Sequence, residues 1–255
     1  MMKILSSGGT DPGKKRKNNE DSFLRDDGLA LYAVADGIGG HEGGEVASRI
    51  AMDTLREVMP GLLKGNDTTP PFSLSLDVEP KISALRYAIT LSNKKILQAA
   101  SLNPALTGMG TTITVVLLSH GTAYIAHVGD SRAYLLRAGE CDQITNDHSF
   151  VAEQIRAGKL TAEQAKTSTY RHIITRAVGI DREVSIDHAT LAIKQDDTFL
   201  LCTDGLTEMV DDGEICRILA EGAPAAATDN LIRRANEQGG VDNITTVVFK
   251  ILETG

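Results

Sequence analysis

Four aspartates stand where a short apolar run ends or begins, each close to glycine. Asp36 precedes Gly37, Asp130 follows Gly129, Asp204 precedes Gly205, and Asp242 comes shortly after Gly239-Gly240. A strand end is a rigid place from which to project a ligand, and adjacent Gly lets the backbone approach closely and frees a carbonyl. If these ends converge, several carboxylates share one small volume. Two unit charges about 4 Å apart repel by about 4 kcal/mol at an effective dielectric near 20. A cluster of ionised acids therefore needs protons or cations. Divalent metal is the usual solution, and all-oxygen ligands select Mg²⁺, Mn²⁺ or Ca²⁺ over Zn²⁺ or Cu²⁺. A single Asp-Gly at a strand end is more often a plain turn, so the metal reading rests on the residues around these four.

The elements that must position them are legible as short apolar segments bounded by Gly or Asp. Strands are expected at Leu29 to Ala35, Thr111 to Leu118, Ala123 to Val128, Ala133 to Arg137, Thr198 to Cys202 and Ile244 to Ile251. The connections Ser119-His120-Gly121 and Ala138-Gly139-Glu140 are short enough for hairpins, so antiparallel sheet is expected in the middle of the chain. Two helices are expected. One carries Val46, Ile50, Leu55 and Val58 on or near one face; the other carries Ile82, Leu85, Ile89, Ile96 and Ala99. Pro60, Pro70, Pro71 and Pro80 mark the stretch between them as a loop. A shorter helical stretch, Ser149 to Gly158, leads into the polar segment Lys159 to Tyr170. Runs of strands with helices in pairs favour α+β over regular βαβ alternation.

Composition narrows the function classes. The chain has 255 residues, formal net charge −8, and 42% hydrophobic and 24% charged residues. That is ordinary for a globular domain with a sizeable core. The acidic balance argues against nucleic acid or an anionic membrane surface as the main partner. No apolar run approaches the length of a membrane span, and the first residues lack a signal-peptide pattern. The three cysteines, Cys141, Cys202 and Cys216, are odd in number and lack C-x-x-C spacing. This usage suggests a reducing compartment and no thiolate metal site, and a cytoplasmic location is expected.

Read in order, the chain carries T-D-P-G (Thr10 to Gly13), R-x-x-N-E-D (Arg16 to Asp21), V-A-D-G-I-G-G-H (Val34 to His41), G-E-x-A-S (Gly44 to Ser48) and G-T-T (Gly110 to Thr112). These are followed by V-G-D-S-R (Val128 to Arg132), D-H-S (Asp147 to Ser149), I-T-R-A-V-G (Ile174 to Gly179), C-T-D-G-L (Cys202 to Leu206) and G-G-V-D-N-I-T (Gly239 to Thr245). Any one motif is weak, but ten in order across almost the whole chain resemble the metal-dependent protein phosphatases of the 2C type, in their short bacterial form.

The resemblance implies a fold and a set of roles. The fold is a four-layer α-β-β-α sandwich, two antiparallel sheets flanked by helices, in a single domain of residues 1–255 with a flap at about 149–170. The activity implied is hydrolysis of phosphoserine and phosphothreonine by water activated at a binuclear Mn²⁺ or Mg²⁺ centre. Asp36 is expected to bridge two metals, the Gly37 carbonyl to bind one, and Asp204 and Asp242 to complete the other. Glu20 and Asp21 are expected to support the site through metal-bound water, and Asp130 with Asp204 to match a third metal site. Arg16 matches the arginine that grips the substrate phosphate, a task its planar fork suits better than lysine. Eukaryotic relatives carry a histidine, the proposed general acid, where this chain has Ile38; His41 is the candidate here, with a hydrogen bond behind the site or a helix N-terminal cap as its plainer roles and a metal-bound water as the alternative proton donor. The partners implied are phosphorylated proteins, opposite a serine/threonine kinase, with the chain acting as a monomer.

Three rival readings are weaker. Gly129-Asp130-Ser131 with Asp147-His148 superficially suggests a serine hydrolase, but the G-x-S-x-G elbow is absent and the placement of Asp36, Asp204 and Asp242 goes unexplained. A phosphoprotein-binding module that had lost catalysis would commonly have lost metal ligands, and every placeable ligand position here is acidic. Cys202 lies in an apolar strand and reads as a structural thiol. The Lys14-Lys15-Arg16-Lys17 run reads as a solvated loop, or as steering for an anionic phosphopeptide. No nucleotide-binding glycine motif survives inspection.

Overall fold

The computed structural model describes residues 2–39, 42–64 and 79–254. In chain order the elements are β1 (Lys3–Asp11), β2 (Asp21–Asp26), β3 (Leu31–Ile38), α1 (Gly43–Lys64), α2 (Pro80–Leu102), β4 (Gly110–Thr111), β5 (Ile113–Ser119), β6 (Thr122–Val128), β7 (Arg132–Arg137) and β8 (Glu140–Gln143). There follow α3 (Phe150–Arg156), α4 (Ala162–Lys166), β9 (Asp187–Ala192), β10 (Thr198–Cys202), α5 (Asp204–Thr207), α6 (Asp212–Glu221), α7 (Pro224–Glu237) and β11 (Ile244–Glu253). One sheet has the order β1-β11-β10-β7-β8. The other runs β2-β3-β5-β6-β9, with β4 also paired to β3. All these pairings are antiparallel.

The strands read as nearly continuous apolar runs because both of their faces are covered. Side chains alternate across a strand, and the alternation in β3 separates two cores. Leu31, Ala33 and Ala35 face α1 and α2, packing with Ala47, Ala51, Leu55, Leu85 and Ile89. Tyr32 and Val34 face inward between the sheets, against Phe199, Leu201, Val247 and Phe249. The second sheet repeats the device: Leu200, Cys202 and Val248 turn outward to Ile215 and Leu219 of α6 and Leu231 of α7. Three stacked cores between four layers follow. The inter-sheet core is centred on aromatic stacks, with Tyr32 and Phe249 centroids 4.0 Å apart and Phe199 and Phe249 5.0 Å apart. Each large side chain fully buried there is worth about 1.5–3 kcal/mol.

Local chemistry sets the helix starts. Pro80 opens α2 at its first turn, where a missing N–H costs nothing, and Glu79 caps it through the Lys81 N–H. Asp211 caps α6, accepting from the Glu214 N–H. Thr161 and Gln164 form a reciprocal capping box on α4. That short helix lies within the polar segment Lys159 to Tyr170.

Three expectations need correction. Helix α1 runs through Pro60 to Lys64, whereas the proline spacing suggested a loop from Pro60 onward. Met59 is buried and Leu62 and Leu63 pack against the core, and this burial offsets the backbone bond that proline removes, a penalty of about 3 kcal/mol in a helix interior. Pro70 and Pro71 lie outside the described residues. The single strand expected from Thr111 to Leu118 is two, β4 and β5, interrupted at Thr112. Lastly, Cys141 on β8 and Cys216 on α6, 75 residues apart in sequence with Cα atoms 5.8 Å apart, form a disulfide, while Cys202 is free and buried. Spacing along the chain carries no trace of that pairing, because tertiary packing alone brings the two residues together.

Candidate active site

The acids meet at one end of the sandwich, between the two sheets. Asp21 opens β2 and is the cross-strand partner of Asp36 on β3. Directly opposed residues have Cβ atoms about 5 Å apart, and like charges in that position repel. Asp36 lies beside Asp204, the first residue of α5, close enough that each carboxyl group alters the other's titration. Asp130 lies in the turn between β6 and β7, close enough to Asp204 for mutual repulsion. Asp242 lies just ahead of β11, where its Oδ2 accepts a 2.6 Å hydrogen bond from Arg16 Nη2. Its Oδ1 accepts the Asn243 N–H at 2.8 Å.

Burial and crowding push Asp21, Asp36, Asp130 and Asp204 toward protonation. Desolvation is the leading cause for Asp21, pushed up to about 7, and for Asp204, pushed up to about 6. Asp36 rises well above the usual carboxylate range through burial and then the nearby Asp204 and Asp21 charges. Asp130 rises through burial and then Asp204. Glu20 is raised mainly by burial, against the pull of Arg16. Three buried carboxylate oxygens, Asp21 Oδ1, Asp130 Oδ1 and Asp204 Oδ1, have no hydrogen-bond partner. Among the described residues, no group of three or more acid, histidine or cysteine side chains already has the geometry of a finished metal cage. Asp36 and Asp204 meet each other, and Asp242 is turned toward Arg16. Clustered hard oxygens with unused lone pairs nevertheless fit divalent cations of the Mg²⁺ and Mn²⁺ type.

Close backbone contact explains the glycines. A Cβ on Gly37 would strike the Gly44 carbonyl and would stand 2.6 Å from the Glu20 carbonyl, to which the Gly37 N–H donates at 3.1 Å. A Cβ on Gly44 would strike Glu20 Oε2. The start of α1, the end of β3 and the Glu20 side chain thus form one tight joint. Gly205 is held in the same way against the Asn243 carbonyl. Ile38 ends β3 beside this joint, and His41 lies outside the described residues.

Several positioning residues escaped the sequence reading. Asn243 ties three segments together: its Nδ2 donates to the Pro12 and Asn18 carbonyls at 3.0 and 2.9 Å, and its Oδ1 accepts the Glu20 N–H at 2.8 Å. Thr203 donates to Asp21 Oδ2 at 2.8 Å while its oxygen accepts the Thr245 N–H at 3.0 Å. Thr112, at the break between β4 and β5, accepts the Asp36 N–H through Oγ1 and returns its own N–H to the Asp36 carbonyl, both at 2.9 Å. The available signal was adjacency: each of these three lies within a motif that also holds an acid or flanks one across a strand pair.

The rival constellations do not assemble. Ser131 is buried and shares a 2.7 Å hydrogen bond with Thr112. Asp147 is engaged by Arg132, and His148 is directed at Gly129 and Asp187. No serine–histidine–aspartate relay exists there. The Cys202 thiol is fully buried and pushed up to about 12, chiefly by burial, which makes it inert as a nucleophile at neutral pH.

Bacterial serine/threonine phosphatases of known structure share this fold. The crystal structure of the Mycobacterium tuberculosis serine/threonine phosphatase PstP matches this fold with a TM-score of 0.86 at 35% identity, covering 99% of this chain and 100% of that one. The PstP catalytic domain in complex with two manganese ions matches with a TM-score of 0.84 at 34% identity, covering 99% and 100%. The serine/threonine phosphatase stp of Listeria monocytogenes serovar 1/2a is 37% identical over 245 residues, 94% of this chain and 93% of that protein. The family model described as protein phosphatase 2C matches residues 9–246, and the chain belongs to that family.

Proposed function

We propose that this chain hydrolyses phosphoserine and phosphothreonine monoesters in proteins at a centre of divalent metal ions. The observation that carries the reading is the set of buried, unpartnered carboxylate oxygens on Asp21, Asp130 and Asp204 at one end of the sandwich. Asp36 would be shared by two ions, with the Gly37 carbonyl on one and Asp204 and Asp242 on the other. Glu20 and Asp21 would act through water, and Asp130 with Asp204 would hold a third ion. Mn²⁺ and Mg²⁺ both suit this donor set, and the PstP catalytic domain carries two manganese ions. Bound there, such ions supply a water molecule acid enough to act as nucleophile near neutral pH.

The chain's own residues bind and orient the phosphate. Arg16 is half exposed and spends one nitrogen on Asp242, which leaves further N–H groups of its planar fork for phosphate oxygens. Phosphoryl transfer needs mainly positioning and charge stabilisation, so no covalent phosphoenzyme is required. His41 remains the proposed proton donor to the departing alkoxide. Residues 149–170, which include α3 and α4, are proposed as the flap that selects among phosphoproteins, opposite a serine/threonine kinase. A monomer in the cytoplasm is the proposed working state; no described helix is long and apolar enough to cross a membrane.

The test is hydrolysis of p-nitrophenyl phosphate and of a phosphothreonine peptide, with Mn²⁺ or Mg²⁺ and then with EDTA. Activity that needs the metal and survives a serine-acylating reagent is expected. Metal binding by calorimetry without turnover would instead identify a phosphoprotein-binding module.

A further inference from the structure

Lys14, Lys15, Arg16 and Lys17 are consecutive cations in a chain of formal net charge −8, on the loop that joins β1 to β2. Arg16 spends one nitrogen on Asp242. The three lysines are exposed, and among the described residues none of them has an acid within ion-pair distance. Elsewhere on the surface cations are matched: Arg49 by Glu45, Arg56 by Asp53, Lys95 by Glu57, Arg217 by Glu221 and Arg233 by Glu237.

A charged run in a loop is ordinarily a solvated, mobile stretch. This one is fastened. The Gly240 carbonyl accepts the Lys14 and Lys15 N–H groups at 2.7 and 3.2 Å. Asn243 Nδ2 holds the Pro12 and Asn18 carbonyls on either side of the run, and Asp11 Oδ1 accepts the Gly13 N–H at 2.8 Å. Gly13 has φ +75°, and a Cβ there would strike the Asp242 carbonyl, so the loop lies directly on the segment that carries Asp242. Each lysine is within two residues of Arg16, at most about 7 Å along the backbone. The loop thus holds like charges together beside the arginine proposed to grip phosphate, and gives them no internal counter-charge.

We propose that Lys14, Lys15 and Lys17 select phosphoproteins in which the phosphorylated residue is flanked by aspartate or glutamate. The inference rests on the phosphatase reading above and names the substrate class for that same site. An extended peptide advances about 3.3 Å per residue, so an acid two or three positions from a phosphoresidue held at Arg16 comes within reach of the lysines. Each such exposed pair is weak, worth about 1.5- to 5-fold in affinity, and the three together reach about tenfold at low salt. Charge complementarity of this kind acts on encounter and binding rather than on bond breaking. The net charge of −8 opposes longer polyanions such as nucleic acid, which leaves a short acidic segment as the fitting partner.

The experiment compares a phosphothreonine peptide flanked by acids on both sides, the same peptide with those acids replaced by their amides, and p-nitrophenyl phosphate, all with Mn²⁺. Wild type is expected to favour the acidic peptide about tenfold in kcat/KM at about 0.01 M salt, mainly through KM, and to lose that preference at about 0.5 M. The combined variant Lys14→Ala, Lys15→Ala and Lys17→Ala should lose the preference, while its p-nitrophenyl phosphate turnover stays within about twofold of wild type. Lys15→Glu together with Lys17→Glu should reverse the preference. The combined variant Lys95→Ala, Lys166→Ala and Lys250→Ala removes the same charge away from the loop and should keep it. Equal kcat/KM for the acidic and amide peptides in wild type overturns the proposal, as does an equal loss of preference in the distant variant. Lysine-dependent binding to phosphatidylserine vesicles with no peptide preference would overturn it in favour of a membrane surface. Failure to hydrolyse any of these substrates would instead overturn the phosphatase reading itself.

Discussion

Asp197 and Asp21 are both almost withdrawn from solvent, at 1% and 7% exposure, yet they are treated in opposite ways. Asp197 accepts from Arg137 Nε and Nη2 at 2.8 and 2.6 Å and from the Lys194 N–H at 2.7 Å. Its charge is matched by a planar bidentate partner, and it fixes the turn before β10. Asp21 has a hydroxyl on one oxygen, nothing on the other, and a second carboxylate across the strand pair. A buried acid with both oxygens engaged by donors is a structural fixture. Buried acids left short of partners and set against one another are costly to folding, and such an arrangement persists where something else is to be bound. The same amino acid thus marks a joint at one place and a site at the other.

The largest expected effect breaks the site side of that contrast. Asp36→Asn and Asp204→Asn should each cut kcat/KM by about a thousandfold or more, on the scale of a lost metal ligand, while circular dichroism stays native. Removing one charge from the crowd should also leave the metal-free protein no less stable. If either variant kept normal turnover, the shared-metal assignment would fail. On the structural side, Arg137→Ala strands Asp197 in the interior, and a loss of about 3 kcal/mol is expected. Denaturant titration checks the loss; turnover per folded molecule should be unchanged.

A pH series sharpens the contrast without mutation. Asp21 and Asp204 rise to about 7 and about 6, and Asp36 and Asp130 rise also. Acids whose folded values are raised contribute stability that is present at low pH and is lost as pH climbs through those values. His127, buried and lowered to about 4 chiefly by desolvation, acts in the other sense below its ordinary value of about 6.5. Metal-free protein should therefore gain several degrees in Tm as pH falls from 8 to about 5, because His127 offsets only one of the several protons the acids take up below about 6.5. Saturating Mn²⁺ should remove the slope. Melting curves in EDTA that are flat over that range would mean the acids are not crowded. The smallest effect is expected at Arg16, whose Arg16→Ala variant should raise KM for phosphate esters about tenfold and lower kcat less; an unchanged KM would remove it from phosphate binding.

Much of this was readable beforehand, and particular residues show why. Asp36, Asp130, Asp204 and Asp242 were found because a strand end beside glycine is a local pattern. The central strands were found because β3, β5, β6, β10 and β11 are apolar on both faces. Strand β1 was missed because its sequence, KILSSGGTD, is polar and small, and it pairs at a sheet edge with β11. Helices α6 and α7 are short and rich in alanine and charged residues, so the few large apolar residues that carry their buried faces, Ile215, Leu219 and Leu231, give only a weak periodic signal. The break at Thr112 was invisible because β-branched residues on either side read as one strand; what interrupts it is the exchange of hydrogen bonds with Asp36.

The amino-acid sequence by itself determined the apolar runs of the central strands and the periodic faces of α1 and α2, its ordered motifs pointed to the two-sheet fold, and it named the acids through their local setting. Only the tertiary structure decided which of those acids lack partners, that Asp242 is turned to Arg16, that Cys141 meets Cys216, and that the lysine loop around Arg16 is pinned to Gly240 and Asn243. The physical reason is range. Side-chain periodicity and turn chemistry act over a few residues, whereas desolvation, charge crowding and hydrogen-bond completion depend on groups that lie far apart in the chain and meet only when the layers close.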